Sequence, residues 1–432
     1  MIPTMPRSLL AAMPLPVQRW LRHVPDAPPS WRALLASGIG LAVLMTVLPS
    51  SGMDTRWPDA TVWEGGSQGY GDLLLFVDAG RTILEGHPGD AYADPAVQTG
   101  PLALAWAALL AWVLHVVGAA PGVGFAISAI VVIVPALYGA TRWAGRLRPP
   151  RWLFATALAV TAGLVAAWQL AALVTFQHPT YVWVPVLWLV AGGFAQRSRT
   201  VPAALALVLA CGLETWAVLA APVILLCLPT WPRRAVGAAV SGLGTAALWA
   251  PFVLSDRFHM LDFAWSTGRP TVLTLLVPGD GAVTWTTRVA QAAVIVGAGL
   301  AAWFATRRRS DAVTVAVVVA AWARLVTDPL TFPYYRLSVL VPTAAFVLAA
   351  AAWYLATRSR RAAAGAGIGV VVLALAQAHP VPGPPAVQLI LHAAALTALV
   401  AAARGIPARL PDSPVSRPGD GLSASVEDAA VR

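Results

Sequence analysis

The stretch from residue 50 to residue 100 concentrates the carboxylates of this chain. It holds eight of the 19 Asp and Glu residues, namely Asp54, Asp59, Glu64, Asp72, Asp78, Glu85, Asp90 and Asp94. A carboxylate within hydrogen-bonding reach of a hydroxyl group can take its proton as the oxygen attacks, which accelerates a reaction by roughly 10²–10⁴-fold. The length and the acid content of this stretch therefore make it a candidate functional site.

Asp72 differs from the other acids because it stands at the start of a predicted helix. The segment DLLLFVDAGRTILEG (72–86) has helical apolar spacing and favours an amphipathic helix that begins at Gly71-Asp72 and ends at Gly86-His87-Pro88-Gly89. Its polar residues, predicted to meet water, are Asp72, Asp78 and Arg81. Its apolar residues, predicted to face the membrane, are Leu73, Phe76, Val77, Ile83 and Leu84.

Basic groups that suit an anion occur in two other stretches. The segment DPLTFPYYR (328–336) places Tyr335 and Arg336 beside an acid and two prolines. Because the planar guanidinium of arginine can bind phosphate with two hydrogen bonds, this segment is a candidate phosphate site. The alternative is that it forms an aromatic belt at the membrane interface, with an arginine that extends its charged end into water. The stretch 255–287 offers Asp256, Arg257, His259, Asp262, Trp265 and Arg269. His259 suits an acid/base or phosphate-donor role, although a lone loop histidine is more often simply solvated.

A few ionisable residues stand inside or beside apolar runs. Arg324 lies four residues before Asp328, so the two can pair on one helical face, and an arginine that deep in an apolar run is a functional hypothesis by default. Glu214 is predicted either to break a helix at the interface or to belong to a cavity. The side of the membrane on which His178 lies stays open. Cys211 and Cys227 are predicted to be small buried hydrophobic residues without a disulfide or metal role.

The composition is that of a polytopic membrane protein. Hydrophobic residues make up 58% of the 432 residues and charged residues only 11%, with a mean hydropathy of +0.70. Soluble domains carry roughly 25% charged residues. The net charge of +10 comes from short arginine clusters between apolar runs, so nucleic acid is excluded as the predicted partner.

About 12 segments are apolar and long enough to be predicted as membrane spans, with about 10 as the lower count. They are 33–49, 101–117, 121–140, 152–175, 179–195, 201–229, 235–254, 288–305, 311–326, 337–356, 362–378 and 385–403. The lower count arises if 101–140 crosses only once and 201–229 forms two half-helices or a re-entrant turn. Arginine clusters then place both termini in the cytoplasm and the loops 50–100, 255–287 and 327–336 outside. The sequence thus divides into a cytoplasmic N-terminal segment (1–32), a membrane domain (33–405) and a disordered cytoplasmic tail (406–432).

The acidic stretch also resembles a known family. The run Asp72–Gly80, followed by Ile83-Leu84-Glu85-Gly86 and Ala91-Tyr92-Ala93-Asp94-Pro95, is similar to the first external loop of the C-type glycosyltransferases, and most of all to the bacterial polyprenol-phosphate-mannose-dependent alpha-(1,2)-mannosyltransferases. The order of spans and external loops is similar as well. The chain departs from that family at Phe76, where the family commonly has Tyr, and at Glu214-Thr215-Trp216, in a region where the family often has Lys.

This resemblance implies an all-α polytopic fold of the C-type and an inverting hexosyltransferase of the bacterial plasma membrane. The implied reaction moves a sugar, mannose in the first instance, from a polyprenyl phosphate to a glycolipid or glycan acceptor on the external face. Asp72 falls at the position of the catalytic base. Donor phosphate or sugar binding is expected from Arg336, Tyr335, Arg269, His259 and Arg81. The partners are then membrane lipids and the two substrates; no cofactor is expected, and the sequence requires no metal.

Two other classes remain as alternatives. A transporter or flippase of lipid-linked saccharides would show two halves with related span patterns, and no convincing internal repeat is present. An oligosaccharide ligase or polymerase usually carries its large external loop late in the chain rather than after the first span.

Overall fold

The computed structural model describes residues 71–116, 178–263, 272–276, 282–307, 312–329, 333–357, 359–379 and 384–405. Within these ranges the chain is almost entirely helical and has no β-strand. The N-terminal segment, the predicted spans 33–49, 121–140 and 152–175, Arg269 and the tail from 406 lie outside the described residues. The coarse prediction of an all-α fold is confirmed.

Twelve α-helices are described, and their bounds are α1 Gly71–Leu84, α2 Pro101–Val116, α3 Thr180–Gln196, α4 Thr200–Leu213, α5 Ala221–Leu226, α6 Trp231–Val253, α7 Leu273–Leu276, α8 Trp285–Thr306, α9 Ala312–Thr327, α10 Leu337–Thr357, α11 Arg360–Ala378 and α12 Pro385–Gly405. Short 3₁₀ helices cover Pro88–Asp90, Thr215–Ala220 and Pro333–Arg336. Within the described ranges, each predicted apolar segment coincides with one helix to within a few residues, apart from 201–229. That segment is broken at Glu214 into α4, a 3₁₀ helix and α5.

Three described helices are long and apolar enough to cross a membrane: α6, α8 and residues Pro385–Arg404 of α12. Most of α6 is not covered by protein, and it exposes large apolar side chains such as Leu243, at 72% of its surface. Exposed apolar surface of this extent marks contact with a membrane or a partner rather than with water. The described helices therefore fit a protein that associates with a membrane.

Helix α9 lies at the centre of the described helices. Every one of its residues is buried, which includes Arg324 near its C-terminal end. It packs together with α3, α4 and α10 in the largest apolar cluster, whose large side chains include Trp188, Leu207 and Trp322. A helix that is apolar all round needs neighbours on every side, and α9 has them.

The predicted amphipathic helix forms as α1, and Gly86 (φ +85°) follows its end. Asp78 and Arg81 are exposed, as predicted, but Phe76 and Val77 are buried inside the protein. The expectation that these two residues face the membrane is wrong. The reason is a close contact between α1 and α2 at Gly80, where an added Cβ atom would clash with the Leu104 carbonyl oxygen.

Two of the predicted external loops contact each other. The Ser255 hydroxyl donates a hydrogen bond to the Gly89 carbonyl (3.0 Å), and the His259 amide donates to the Tyr92 carbonyl (2.9 Å). The Gln98 amide donates to the Met260 carbonyl at 2.7 Å. The connection between α1 and α2 and the connection after α6 therefore lie on the same side of the helices.

The contact at Gly80 makes a testable prediction about α1. Replacing Gly80 by Leu forces α1 and α2 apart, and overpacking of this kind costs about 1–3 kcal/mol. We expect a lower melting temperature of the detergent-purified protein. Gly193→Ala in α3 is the control, because nothing lies within 4 Å of an added Cβ there. If the Gly80→Leu and Gly193→Ala proteins have the same melting temperature, the described packing of α1 against α2 is incorrect.

Candidate functional site

Glu214 marks a break between two helices and is buried. Helix α4 ends at Leu213, Glu214 is extended (φ −150°, ψ 137°), and a 3₁₀ helix starts at Thr215. The side chain is only 3% exposed. Of the two alternatives that the sequence left open, the structure places Glu214 at a helix break inside the protein.

Two threonines hold the Glu214 carboxyl group. The Thr180 hydroxyl donates a hydrogen bond to Oε1, and Thr99 Oγ1 lies 3.1 Å from the same oxygen. Thr99 Oγ1 is also 3.1 Å from the Leu213 carbonyl, so its single proton serves one of these two acceptors. A carboxylate offers about four acceptor sites, so the Glu214 carboxyl group can accept further hydrogen bonds besides those from Thr180 and Thr99.

The backbone around Thr99 is tied to the same break. The Gly100 amide donates to the Leu213 carbonyl at 2.8 Å, and the Tyr92 hydroxyl donates to the Thr99 carbonyl at 3.0 Å. Burial, and secondly the Glu214 carboxylate, raises the pKa of Tyr92 well above its usual range. Tyr92 therefore stays a neutral hydrogen-bond donor at physiological pH.

Arg324 is buried among aromatic rings and one carboxylate. Its Nη2 lies 3.3 Å from Asp328 Oδ2 and donates a hydrogen bond to the Tyr181 hydroxyl at 3.0 Å. The predicted pairing of Arg324 with Asp328 is confirmed. Its guanidinium carbon lies 4.0 Å from the ring centre of Trp216, and the rings of Tyr181 and Tyr335 follow at 4.7 Å and 5.1 Å. Cation–π contacts of this kind are strongest when desolvated.

Together these side chains form one assembly, which we call the buried polar cluster. It consists of Thr99, His178, Thr180, Tyr181, Glu214, Trp216, Arg324, Asp328, Tyr334 and Tyr335, and all of them are buried except the half-buried Trp216. The cluster joins the start of α2, the start of α3, the break after α4, the end of α9 and the 3₁₀ helix before α10. It thus gathers residues that are far apart in the sequence.

Helix α1 reaches this cluster through one aromatic contact. The ring of Phe76 meets His178 edge-on with centroids 5.1 Å apart, and His178 stacks on Tyr334 at 4.0 Å. Asp72 lies in the first turn of α1, four residues before Phe76. The side chain of Asp72 itself lies outside the described part of the structure. His178, whose side of the membrane the sequence left open, lies at the same end as the connection after α1.

The side chains of Tyr335 and Arg336 have different surroundings, although the two residues are neighbours in the chain. Tyr335 belongs to the buried polar cluster, whereas Arg336 is half-buried, and burial lowers the pKa of its guanidinium. The pKa of His379 is lowered to about 3, mainly by burial, secondly by His392 and thirdly by the positive charge of Arg336. Arg336 is therefore near His379, and it forms no ion pair with a carboxylate in the described ranges.

Two other predicted binding residues, Arg81 and His259, do not join the cluster. Arg81 is exposed on α1 and pairs with Glu85 at 3.3 Å. His259 is 46% exposed, with Nδ1 lying 2.8 Å from Asp262 Oδ2. Arg269 lies outside the described residues. The roles of these three residues in donor binding stay predictions.

Several cluster residues were missed by the sequence reasoning: Thr99, Thr180, Tyr181, Trp216 and Tyr334. Each is a hydroxyl or aromatic residue at the end of an apolar run, where the same residue types serve ordinary packing. The signal that was available is the presence of Arg324 and Glu214 inside apolar runs, since buried charges need partners. In the described part of the chain, no group of three or more His, Cys, Asp or Glu side chains is placed to hold a metal.

Comparison with protein-family models, with curated proteins and with solved structures found no match.

The Arg324–Asp328 pair makes a prediction about stability. Asp328→Asn removes the carboxylate that pairs directly with the buried guanidinium, a change that costs about 3–5 kcal/mol, so we expect a large drop in melting temperature. The double variant Arg324→Met/Asp328→Leu removes both charges and should recover most of that loss. A double variant no more stable than Asp328→Asn would contradict the ion pair as the source of the effect.

Proposed function

We propose that this protein is an integral-membrane glycosyltransferase that uses a polyprenyl-phosphate sugar as its donor. The supporting observation is that α1, the helix of Asp72, packs one turn later through Phe76 and His178 on a buried cluster of carboxyl, guanidinium and aromatic groups. The helix that carries the candidate base, a half-buried arginine and a set of buried hydrogen-bonding groups thus lie at one end of the helices.

In the proposed reaction, an acceptor hydroxyl attacks the anomeric carbon of the donor sugar. The new C–O bond forms as the bond between the anomeric carbon and the phosphate oxygen breaks, with inversion at that carbon. Asp72 takes the hydroxyl proton, and polyprenyl phosphate leaves as an anion. Because this leaving group is already stable, the reaction needs positive charge beside the phosphate rather than a strong general acid.

Arg336 is the proposed phosphate ligand. It is half-buried, and no described carboxylate neutralises it. Arg324 suits this role less well, because Asp328 already compensates its charge. Since Tyr335 lies in the buried polar cluster, a phosphate at Arg336 is adjacent to that cluster.

The membrane setting completes the proposal. We propose a chain with about 10–12 spans and a C-type arrangement in the bacterial plasma membrane, with both termini in the cytoplasm. The three candidate spans support a membrane location, and the contacts between the loops support their placement on one side. The acceptor is then a glycolipid or glycan on the external face, and mannose is the first sugar to test.

A transporter or flippase of lipid-linked saccharides is the second candidate. The break at Glu214 favours it, because many transporters bind their substrates at discontinuous helices. The two candidates differ in their product. A glycosyltransferase consumes the donor and glycosylates the acceptor, whereas a flippase moves an unchanged lipid across the bilayer.

The role of Asp72 is tested by Asp72→Asn in purified protein reconstituted into liposomes with a radiolabelled polyprenyl-phosphate sugar. Because an amide cannot accept the proton, we expect transfer to fall by at least about 10²-fold while donor binding is retained. Asp78→Asn on the same helix is the matched control and should transfer normally. Full activity of Asp72→Asn would remove this residue from the reaction.

The role of Arg336 is tested by Arg336→Gln. Loss of a charge-assisted contact with phosphate should weaken binding of polyprenyl phosphate about tenfold or more, measured by titration in detergent. Arg233→Gln, at the predicted cytoplasmic start of α6, is the matched control. Equal affinities in Arg336→Gln and wild-type protein would place the phosphate elsewhere.

A further inference from the structure

We propose that Glu214, Trp216 and Arg324 form a subsite for the hydroxyl groups of the donor sugar, distinct from the phosphate site at Arg336. This inference rests on the proposed function and adds a ligand class and a position to it. The subsite would choose among donors by the sugar they carry.

The subsite is defined by buried polar atoms with unused hydrogen-bonding capacity. Arg324 Nη1 and Trp216 Nε1 are both shielded from solvent, and neither donates a hydrogen bond to a described residue. On the acceptor side, the Glu214 carboxyl group has about four acceptor sites, of which Thr180 and Thr99 fill at most two. Buried polar groups are rarely left without partners, so a cluster of them points to a ligand.

These three side chains are neighbours. The guanidinium of Arg324 stacks at 4.0 Å on the ring of Trp216. Trp216 follows Glu214 by two residues, directly after the helix break. Arg324 is held in place by Asp328 and Tyr181, and Glu214 is held by Thr180. The unused atoms therefore belong to side chains whose positions are already fixed, which lowers the entropy cost of binding.

The charges favour a hydroxyl rather than a phosphate. The positive charge of Arg324 is compensated by Asp328, and Glu214 adds a second carboxyl group to the same cluster. A phosphate brought there would meet no net positive charge. A sugar hydroxyl both donates and accepts, so it can accept from Arg324 Nη1 or Trp216 Nε1 and donate to the Glu214 carboxyl group.

The position of the cluster also suits a sugar. Tyr335 contacts Arg324 with its ring at 5.1 Å, and the next residue is Arg336. The proposed subsite and the proposed phosphate ligand are therefore connected through one residue, Tyr335.

The decisive variant is Trp216→Phe, which keeps an aromatic ring under Arg324 and removes the indole N–H. We expect binding of the polyprenyl-phosphate sugar to weaken about tenfold, as for one lost buried hydrogen bond, while binding of polyprenyl phosphate without sugar stays unchanged. Glu214→Gln, which keeps the shape of the side chain, should show the same selective loss. Trp188→Phe is the matched control, because the Trp188 indole already donates to the Ala217 carbonyl at 2.8 Å.

Three results would overturn the inference. Equal weakening for the lipid with and without sugar would mean that these residues bind the phosphate. Unchanged binding of both lipids by both variants would mean that the unused atoms hold only water. A loss seen equally in Trp188→Phe would reflect packing rather than recognition.

The same liposomes separate this inference from the proposed function. If the variants lose binding of the sugar donor selectively but the wild-type protein transfers no sugar, the subsite is supported and the glycosyltransferase activity is rejected. If the wild-type protein transfers the sugar but the variants show no selective loss of sugar-donor binding, the glycosyltransferase activity is supported and the subsite is rejected.

Discussion

The guanidinium of Arg324 has to be compensated inside an apolar helical core, and this requirement organises the structure around it. A buried charge without an opposite charge and hydrogen-bond partners strongly destabilises the folded state. Asp328 supplies the charge from the next turn, and the Tyr181 hydroxyl accepts a hydrogen bond at the start of α3. Trp216 and Tyr335 cover the faces of the guanidinium. Helices α3, α9 and α10 and the break after α4 are thereby held in one arrangement.

The helix break at Glu214 supplies the second half of the site. It turns the backbone towards Thr99 and Gly100, so the connection between α1 and α2 is fastened to the core of the helices. The same connection is hydrogen-bonded to the segment after α6. Helix α1 therefore lies beside the buried polar cluster, with Phe76 against His178. For a reaction at a membrane surface, this arrangement brings a water-facing helix next to a protected set of polar groups.

Much of this could be predicted from the sequence, for physical reasons. Apolar runs gave helix bounds because a 20-residue apolar segment has few other stable forms, and the i,i+4 spacing gave the Arg324–Asp328 pair. The burial of Phe76 and Val77 could not be predicted, because the same apolar face suits lipid or protein. These residues are buried because the small size of Gly80 permits α1 to contact α2. Apart from Asp328, the partners of Glu214 and Arg324 were also beyond prediction, since they come from four separate places in the chain.

We propose, as the centre of this account, that α1 and the connection between α1 and α2 lie on the external side of the membrane. The most direct test is cysteine labelling in intact cells, with Asp78→Cys introduced after Cys211 and Cys227 are replaced by Ala. Because residue 78 is exposed on α1, a membrane-impermeant maleimide should label it without permeabilisation. A second cysteine at Arg233, in the first turn of α6, should react only after the membrane is opened. Labelling with the reverse pattern would contradict the account.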